Sequence, residues 1–282
     1  MTRNPSEYTL YIRRKSFIIF LPIVFETYGG KMVFQFLKIN LKSFVFEKLG
    51  CRSLIIKGIQ KLSLIDYPGR VACTLFTFGC NFRCPYCHNP ELVIDDGTPL
   101  IPESDVLRFL EDRRGFLDGV CITGGEPTLH DDLPNFIKRV KGLGYSVKLD
   151  TNGTSPEVLR KLIGEKLVDY IAMDVKAPLE KYESVVRVKV DTSRIAESVE
   201  IVKSFPEHEF RTTVVPELLT REDILAIARW LKGSRRFFIQ QFKQTKTLDK
   251  IFMEKQVYSA VELEKIRDEI RCFFEVCRIR NI

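Results

Sequence analysis

The sequence predicts an α/β fold: a partial (β/α)6, TIM-like barrel behind a poorly defined basic N-terminal extension. Three observations predict it. Six short apolar runs lie between residues 71 and 241, and stretches of helical character separate them. Strand-length runs alternating with helices of about 10–15 residues imply parallel strands joined by right-handed crossovers. Polar residues capable of chemistry recur immediately after the runs, at the carboxyl ends of the strands where ligands gather in such folds.

Residues 58–69 read as an extended segment closed by Pro68-Gly69, ahead of a buried strand over 71–78. A helix over 102–112 has Pro102 at a permissive first-turn position and carries Val106, Leu107 and Leu110 on one stripe. After strand 119–123 come helix 133–143 stopped at Gly144, strand 145–150 ended by Asn152-Gly153, and helix 155–163 opened by Ser155-Pro156. Strand 170–175 leads to Pro178 and helix 192–205 to strand 209–215, which Pro216 ends. Thr220 caps a helix to Lys232, residues 236–241 form the sixth strand, and the capping-box pattern Ser259-Ala-Val-Glu262 opens a last helix to Phe274. No linker or repeat divides 58–282, which reads as one domain.

At 282 residues and 45% hydrophobic content the chain can bury a sizeable core. Its formal charge of +7 comes from the leader: residues 1–57 hold ten Lys and Arg against three Asp and Glu, whereas 58–282 hold 34 of each sign. A neutral body argues against a nucleic-acid partner. In the leader, the apolar run 17–25 is broken by Pro22 and is far short of the about 20 residues that span a bilayer, so no transmembrane segment is expected. Residues 1–57 read as an extension that is disordered or comes from an over-long gene start. Eight cysteines, three of them in one loop and none behind a secretory signal, fit a reducing, cytoplasmic compartment.

Cys80-x3-Cys84-x2-Cys87 places three thiols within eight residues, directly after the first strand. Thiols this close cannot all form disulfides; they fit a metal group, and no second Cys or Cys/His pair exists to complete a structural zinc. Later strand ends carry Gly124-Gly125-Glu126-Pro127, Asp150-Thr151-Asn152-Gly153 and Asp174-Val175-Lys176, with Arg211 on the fifth strand. A cubane held by three thiolates leaves one iron open to a small molecule offering an amine and a carboxylate. The two glycines let a ligand lie against backbone with its ammonium near Glu126, Lys176 can neutralise a carboxylate, and Asp150 and Asp174 can hold a cation or a ribose hydroxyl. Gly-Gly and Asn-Gly also form ordinary turns, and Asp-x-Lys is a common surface pair. Their recurrence at successive strand ends favours a site.

With aromatic Tyr86 before the last cysteine, these motifs resemble the radical S-adenosylmethionine superfamily. Asp66-Tyr-Pro-Gly69, Asp150-Thr-Asn-Gly153 and Met173-Asp-Val-Lys176 are similar to the activating enzymes of glycyl-radical enzymes, notably the pyruvate formate-lyase and anaerobic ribonucleotide reductase activases, over residues 57–241. The resemblance implies one [4Fe-4S] cluster on Cys80, Cys84 and Cys87, and S-adenosylmethionine as co-reactant. It implies that Tyr86 and His88 lie beside the adenine, that Gly124, Gly125 and Glu126 meet the methionyl ammonium, and that Asp174 and Lys176 meet the ribose or carboxylate. Asp150 and Thr151, with Asp174, match a monovalent-cation site, and Arg211 matches a strand arginine near the cofactor. The implied reaction cleaves S-adenosylmethionine reductively to a 5′-deoxyadenosyl radical, which abstracts hydrogen from a glycine of a partner glycyl-radical enzyme. A flavodoxin- or ferredoxin-like protein would donate the electron.

Several activases carry further Cys-x-x-Cys motifs after the first cluster loop; none lies between Asn89 and Val120, so one cluster is expected. Cys51, Cys73, Cys121, Cys272 and Cys277 repeat no cluster spacing, and Cys73 and Cys121 read as buried strand thiols. The polar segment 242–257 is a candidate for partner docking. Two other readings stand beside the activase: a radical S-adenosylmethionine enzyme acting on a small molecule or another protein, and a non-catalytic, metal-stabilised binding module. The strand-end residues argue against the module, which would not need them.

Overall fold

The computed structural model describes residues 54–281 and, before them, only the backbone of four strands. β1 (Tyr8–Arg14) pairs antiparallel with β2 (Phe17–Ile23), and β3 (Glu26–Tyr28) with β4 (Lys31–Val33). These strands belong to a unit, Met1–Gly50, distinct from Cys51–Ile282. The reading of 1–57 as disordered or mis-started falls mainly on residues outside those described. Its last residues join the main sheet, since β5 starts at Ile56 and Lys57 is buried.

The second unit is built on one eight-stranded sheet in the order β12-β11-β10-β9-β8-β7-β6-β5. β5 (Ile56–Ser63) runs antiparallel to β6 (Ala72–Thr77). From β6 onward every pair is parallel: β7 (Gly119–Gly124), β8 (Ser146–Thr151), β9 (Tyr170–Asp174), β10 (His208–Val214), β11 (Arg236–Gln241) and β12 (Val276–Arg280). The six strands read from the sequence are β6 to β11, each beside its neighbour in the chain, and the sheet stays open between β5 and β12. The crossovers carry α1 (Glu103–Asp112), α2 (Leu133–Gly142), α3 (Pro156–Gly164), the short α4 (Tyr182–Val186), α5 (Thr192–Ser204), α6 (Arg221–Trp230) and α7 (Ala260–Ile270). Capping boxes at Thr220/Asp223 and Ser259/Glu262 start α6 and α7.

β12 differs from expectation, because the last helix was read through to Phe274. The buried stripe Leu263, Ile266, Ile270 ends α7, and Phe274 turns back to stack on Phe237, ring centroids 5.0 Å apart. That contact sends the chain out extended along β11.

Strand alternation separates two chemistries. On β8, Val147 and Leu149 join the main core, and on β10 so do Phe210 and Val214; with them pack Phe136, Leu159, Val199 and Ile227 from the helices. The intervening residues, Lys148 and Asp150 on β8 and Glu209 and Arg211 on β10, share the opposite, inner face. Each fully buried aliphatic side chain on the helix side stabilises the sheet by about 2 kcal/mol.

The glycines at the end of β7 are demanded by close approach of the neighbouring backbone segment 77–79. Gly124 has φ +125°, and a Cβ there would lie 2.3 Å from the Thr77 amide; a Cβ on Gly125 would lie 1.9 Å from the Gly79 carbonyl oxygen. The approach is held by Gly125 N–H donating to Thr77 O (2.9 Å) and Glu126 N–H to Gly79 O (2.8 Å). The ligand-side reason given for this pair from the sequence is therefore incomplete: the glycines first let β7 lie against the segment that leads into the cysteines. Replacing Gly125 by Ala should force those backbones apart and cost about 3 kcal/mol; urea denaturation curves would measure it.

Candidate functional site

At the carboxyl ends of β6 to β11 lies a cavity of about 270 Å³. All thirteen residues singled out from the sequence line it: Cys80, Cys84, Cys87, Tyr86, His88, Gly124, Gly125, Glu126, Asp150, Thr151, Asp174, Lys176 and Arg211. Asn152, of the strand-end run 150–153, lines it too, and Phe82, Thr123, Thr213 and Gln240 do so without having been anticipated. The signal for the last two was their place near strand ends on the inner face, legible only once the register is known.

The cysteine loop is held from three sides. Arg83 donates through Nη1 to Cys80 O (2.7 Å) and Phe82 O (2.8 Å), while its amide donates to Val186 O (2.9 Å). Leu248 N–H donates to Cys87 O (3.1 Å), Asp249 N–H to Pro85 O (3.0 Å), and Arg187 pairs with Asp249 at 2.7 Å. The His88 ring stacks on Phe242 at 5.4 Å, with Nδ1 3.2 Å from Lys246 O. Segment 242–257, the candidate for partner docking, also straps the cysteine loop, with its Phe242 and Phe252 buried. Burial pushes the Cys80 thiol up to about 12 and the Cys84 thiol to about 11, and raises Cys87 as well. Outside the loop, Cys73 and Cys121 are buried strand thiols, as expected.

Glu126 departs from expectation. Its carboxylate is fully buried and saturated by protein donors: Oε1 accepts from Thr128 N (3.1 Å), Thr128 Oγ1 (2.6 Å) and Thr151 Oγ1 (2.8 Å), and Oε2 from Asn152 N (2.6 Å). Burial raises its pKa against these bonds. The side chain read as a partner for an ammonium instead ties the end of β7 to the end of β8. Asn152 extends the tie, donating to Asn81 Oδ1 (2.8 Å) beside Cys80.

A charge network fills the inner face. β9 pairs with β10 in a register that places Arg211 opposite Asp174. Arg211 donates through Nε to Asp174 Oδ1 (2.7 Å) and through Nη1 to Asp150 Oδ2 (3.1 Å). Lys176 lies 3.2 Å from Asp174, Lys148 pairs with Asp150, and Arg280 donates to both oxygens of Glu209 at 2.9 and 3.0 Å. Burial disfavours the charges of Asp150, Asp174, Glu209, Lys148, Lys176 and Arg211, yet the neighbours win. Arg211 and Lys148 hold Asp150 below the usual carboxylate range, and Arg211 and Lys176 hold Asp174 well below it. Asp174 in turn keeps Lys176 protonated, its pKa well above the ordinary value.

Two groups implied by the resemblance can be tested against these residues. The thiols fit an iron–sulfur cluster: they are three soft donors facing one cavity. Among the described residues no three His, Cys, Asp or Glu side chains converge as on a single metal ion. The Tyr86 hydroxyl is buried in the cavity wall with no hydrogen-bond partner, as a group awaiting a polar ligand would be. The monovalent cation does not fit. The Arg211 guanidinium bridges the carboxylates it would join, and the Thr151 hydroxyl already donates to Glu126 and accepts from Gly153 N (3.1 Å).

An open parallel α/β sheet with three thiols and buried charges at its strand ends defines a class of enzyme, and comparison with known proteins agrees. The Radical SAM superfamily model matches residues 74–231, and the chain belongs to that superfamily. It is 36% identical over 236 residues to a Methanocaldococcus jannaschii protein provisionally named as a glycyl-radical enzyme activating enzyme, covering 81% of this chain and 96% of the relative. The pyruvate formate-lyase-activating enzyme of Clostridium pasteurianum is 29% identical over 126 residues, 43% of this chain and 52% of that protein. Among solved structures, Streptococcus suis SuiB bound to S-adenosylmethionine shares the fold with a TM-score of 0.52 at 17% identity, covering 71% of this chain. This chain spans about half of that structure, 48% of its length. Membership implies a [4Fe-4S] cluster and S-adenosylmethionine. No helix among the described residues is long and apolar enough to cross a membrane.

Two outcomes are expected. Glu126→Gln sets an amide N–H₂ against groups that themselves donate, and should cost about 2 kcal/mol in a urea titration. Because the Asp150, Asp174 and Glu209 carboxyls are held below their unfolded values, the stability they contribute is complete above about pH 4 and is lost as pH falls further. Urea midpoints should fall steeply below that pH, and less steeply in Asp174→Asn.

Proposed function

We propose that the protein is a glycyl-radical enzyme activating enzyme, which makes a radical on a backbone glycine of a partner protein. The observation that carries this reading is the gathering, in one cavity, of the three thiols, the unpartnered Tyr86 hydroxyl and the Lys176 cation. The relative that spans 81% of the chain supports the same assignment.

When bound, the cluster supplies the electron that cleaves S-adenosylmethionine to methionine and a 5′-deoxyadenosyl radical, and that radical takes hydrogen from the glycine. The chain's own residues hold and orient. Cys80, Cys84 and Cys87 ligate the cluster. Lys176, kept protonated by Asp174, meets the methionyl carboxylate or the ribose together with Asp174. The Tyr86 hydroxyl and the His88 ring, the latter fixed against Phe242, flank the adenine. The ammonium meets backbone carbonyls at Gly124 and Gly125, since Glu126 is committed elsewhere. The strap 242–257 covers the cysteine loop and so shields it on that side. A flavodoxin- or ferredoxin-like donor in a reducing cytoplasm completes the scheme.

Anaerobic reconstitution should yield about four irons per chain, lost in Cys84→Ala, and reductant with S-adenosylmethionine should release 5′-deoxyadenosine. Zinc without iron would sink the enzyme reading. Mixing with each glycyl-radical enzyme of the source organism should give a doublet radical signal by electron paramagnetic resonance in one of them. Silence from all of them while a metabolite is consumed would favour a small-molecule substrate instead.

A further inference from the structure

We infer that Arg211 is the built-in counter-ion of this site, doing with a fixed guanidinium what a free monovalent cation would do between Asp150, Thr151 and Asp174. The S-adenosylmethionine-binding arm of this inference rests on the proposed function; the thermal-unfolding arm does not.

Three observations converge. The parallel register of β9 and β10 sets the Arg211 backbone directly opposite Asp174, so main-chain pairing starts the side chain beside its partner. From there one planar fork reaches both carboxylates, through Nε at 2.7 Å and Nη1 at 3.1 Å, a geometry that a guanidinium provides and an ammonium does not. The hydroxyl that a cation would share is already engaged: Thr151 Oγ1 is buried, donates to Glu126 Oε1 and accepts from Gly153 N, and so fastens the β8 end.

The charge balance points the same way. Lys148, Lys176, Arg211 and Arg280 face Asp150, Asp174 and Glu209, with Lys148 and Glu209 almost wholly buried, so each inner-face carboxylate already has a cationic partner. Carboxylates compensated in this way gain little from a metal ion that would have to lose part of its hydration shell to reach them. Arg211 is thus a positioning residue: it fixes Asp174, which in turn sets Lys176.

The test compares potassium, sodium and tetramethylammonium chlorides at one ionic strength of about 0.1 M, so that screening is constant. Thermal unfolding of the protein as isolated and equilibrium dialysis of S-adenosylmethionine on the reconstituted protein are the two readouts. For the wild type, the dissociation constant should differ by less than about twofold among the salts and the melting midpoint should not move. Arg211→Ala, which opens the space between the carboxylates, should become salt-selective. Its affinity in potassium or sodium should exceed that in tetramethylammonium by about tenfold, and added guanidinium should restore it in tetramethylammonium. A wild type that binds S-adenosylmethionine about tenfold or more tightly in potassium or sodium overturns the inference without any variant. So does an Arg211→Ala protein that folds and shows no salt selectivity. Should Arg211→Ala fail to fold, the wild-type comparison decides alone. If the wild type bound no S-adenosylmethionine in any salt, the proposed function would fail, and the melting midpoints would still decide the cation question.

Discussion

The pairing of Arg211 with Asp174 and Asp150 is the constraint on which the inner face depends. Three carboxylates within a few strands of one another, Glu209 buried and Asp150 and Asp174 partly so, would repel one another strongly unless cations were delivered to them in fixed geometry. β10 supplies Arg211, β8 supplies Lys148, the turn after β9 supplies Lys176, and β12 supplies Arg280. The partners come from elements far apart in the chain, so the network exists only when the parallel sheet is fully registered. A polar inner face is what separates this sheet from an ordinary packed barrel interior and leaves room for a polar co-reactant above it.

A second dependence runs through the end of β7. Gly124 and Gly125 allow the backbone to touch the 77–79 segment, and Glu126, arriving next, binds the turn after β8 through Thr151 and Asn152. Asn152 then reaches Asn81 in the cysteine loop. Three consecutive strand ends are fastened to each other and to the thiols by one short motif. The motif therefore works chiefly on the protein, and its effect on a ligand is exerted through the backbone it positions.

The cysteine loop itself has little regular structure of its own. Its shape is imposed by Arg83 on its carbonyls and by the strap after β11, whose amides bond Cys87 O and Pro85 O. Donors spent on loop carbonyls leave the sulfurs facing the cavity. The strap joins the sixth strand to the first loop, so the two ends of the (β/α)6 series meet at the thiols even though the sheet does not close.

Residue order alone determined the six strands, their parallel order, the three thiols and the set of strand-end side chains that share the cavity. These follow from local periodicity and from the rule that ligands collect at the carboxyl ends of parallel strands, both carried by neighbouring residues. It also marked Glu126, Thr151 and Arg211 as important without revealing what each one touches. Tertiary structure decided that Glu126 faces Thr151 and Asn152 rather than a ligand, that Arg211 lies between two aspartates, and that 242–257 covers the loop. β12 too was hidden, because a five-residue edge strand with mixed exposure has no distinctive pattern until Phe274 is seen on Phe237. The physical reason is common to all four: hydrogen bonds, ion pairs and ring contacts join residues 25 to 164 positions apart, and their partners are chosen by strand register and packing, which no local stretch of sequence encodes.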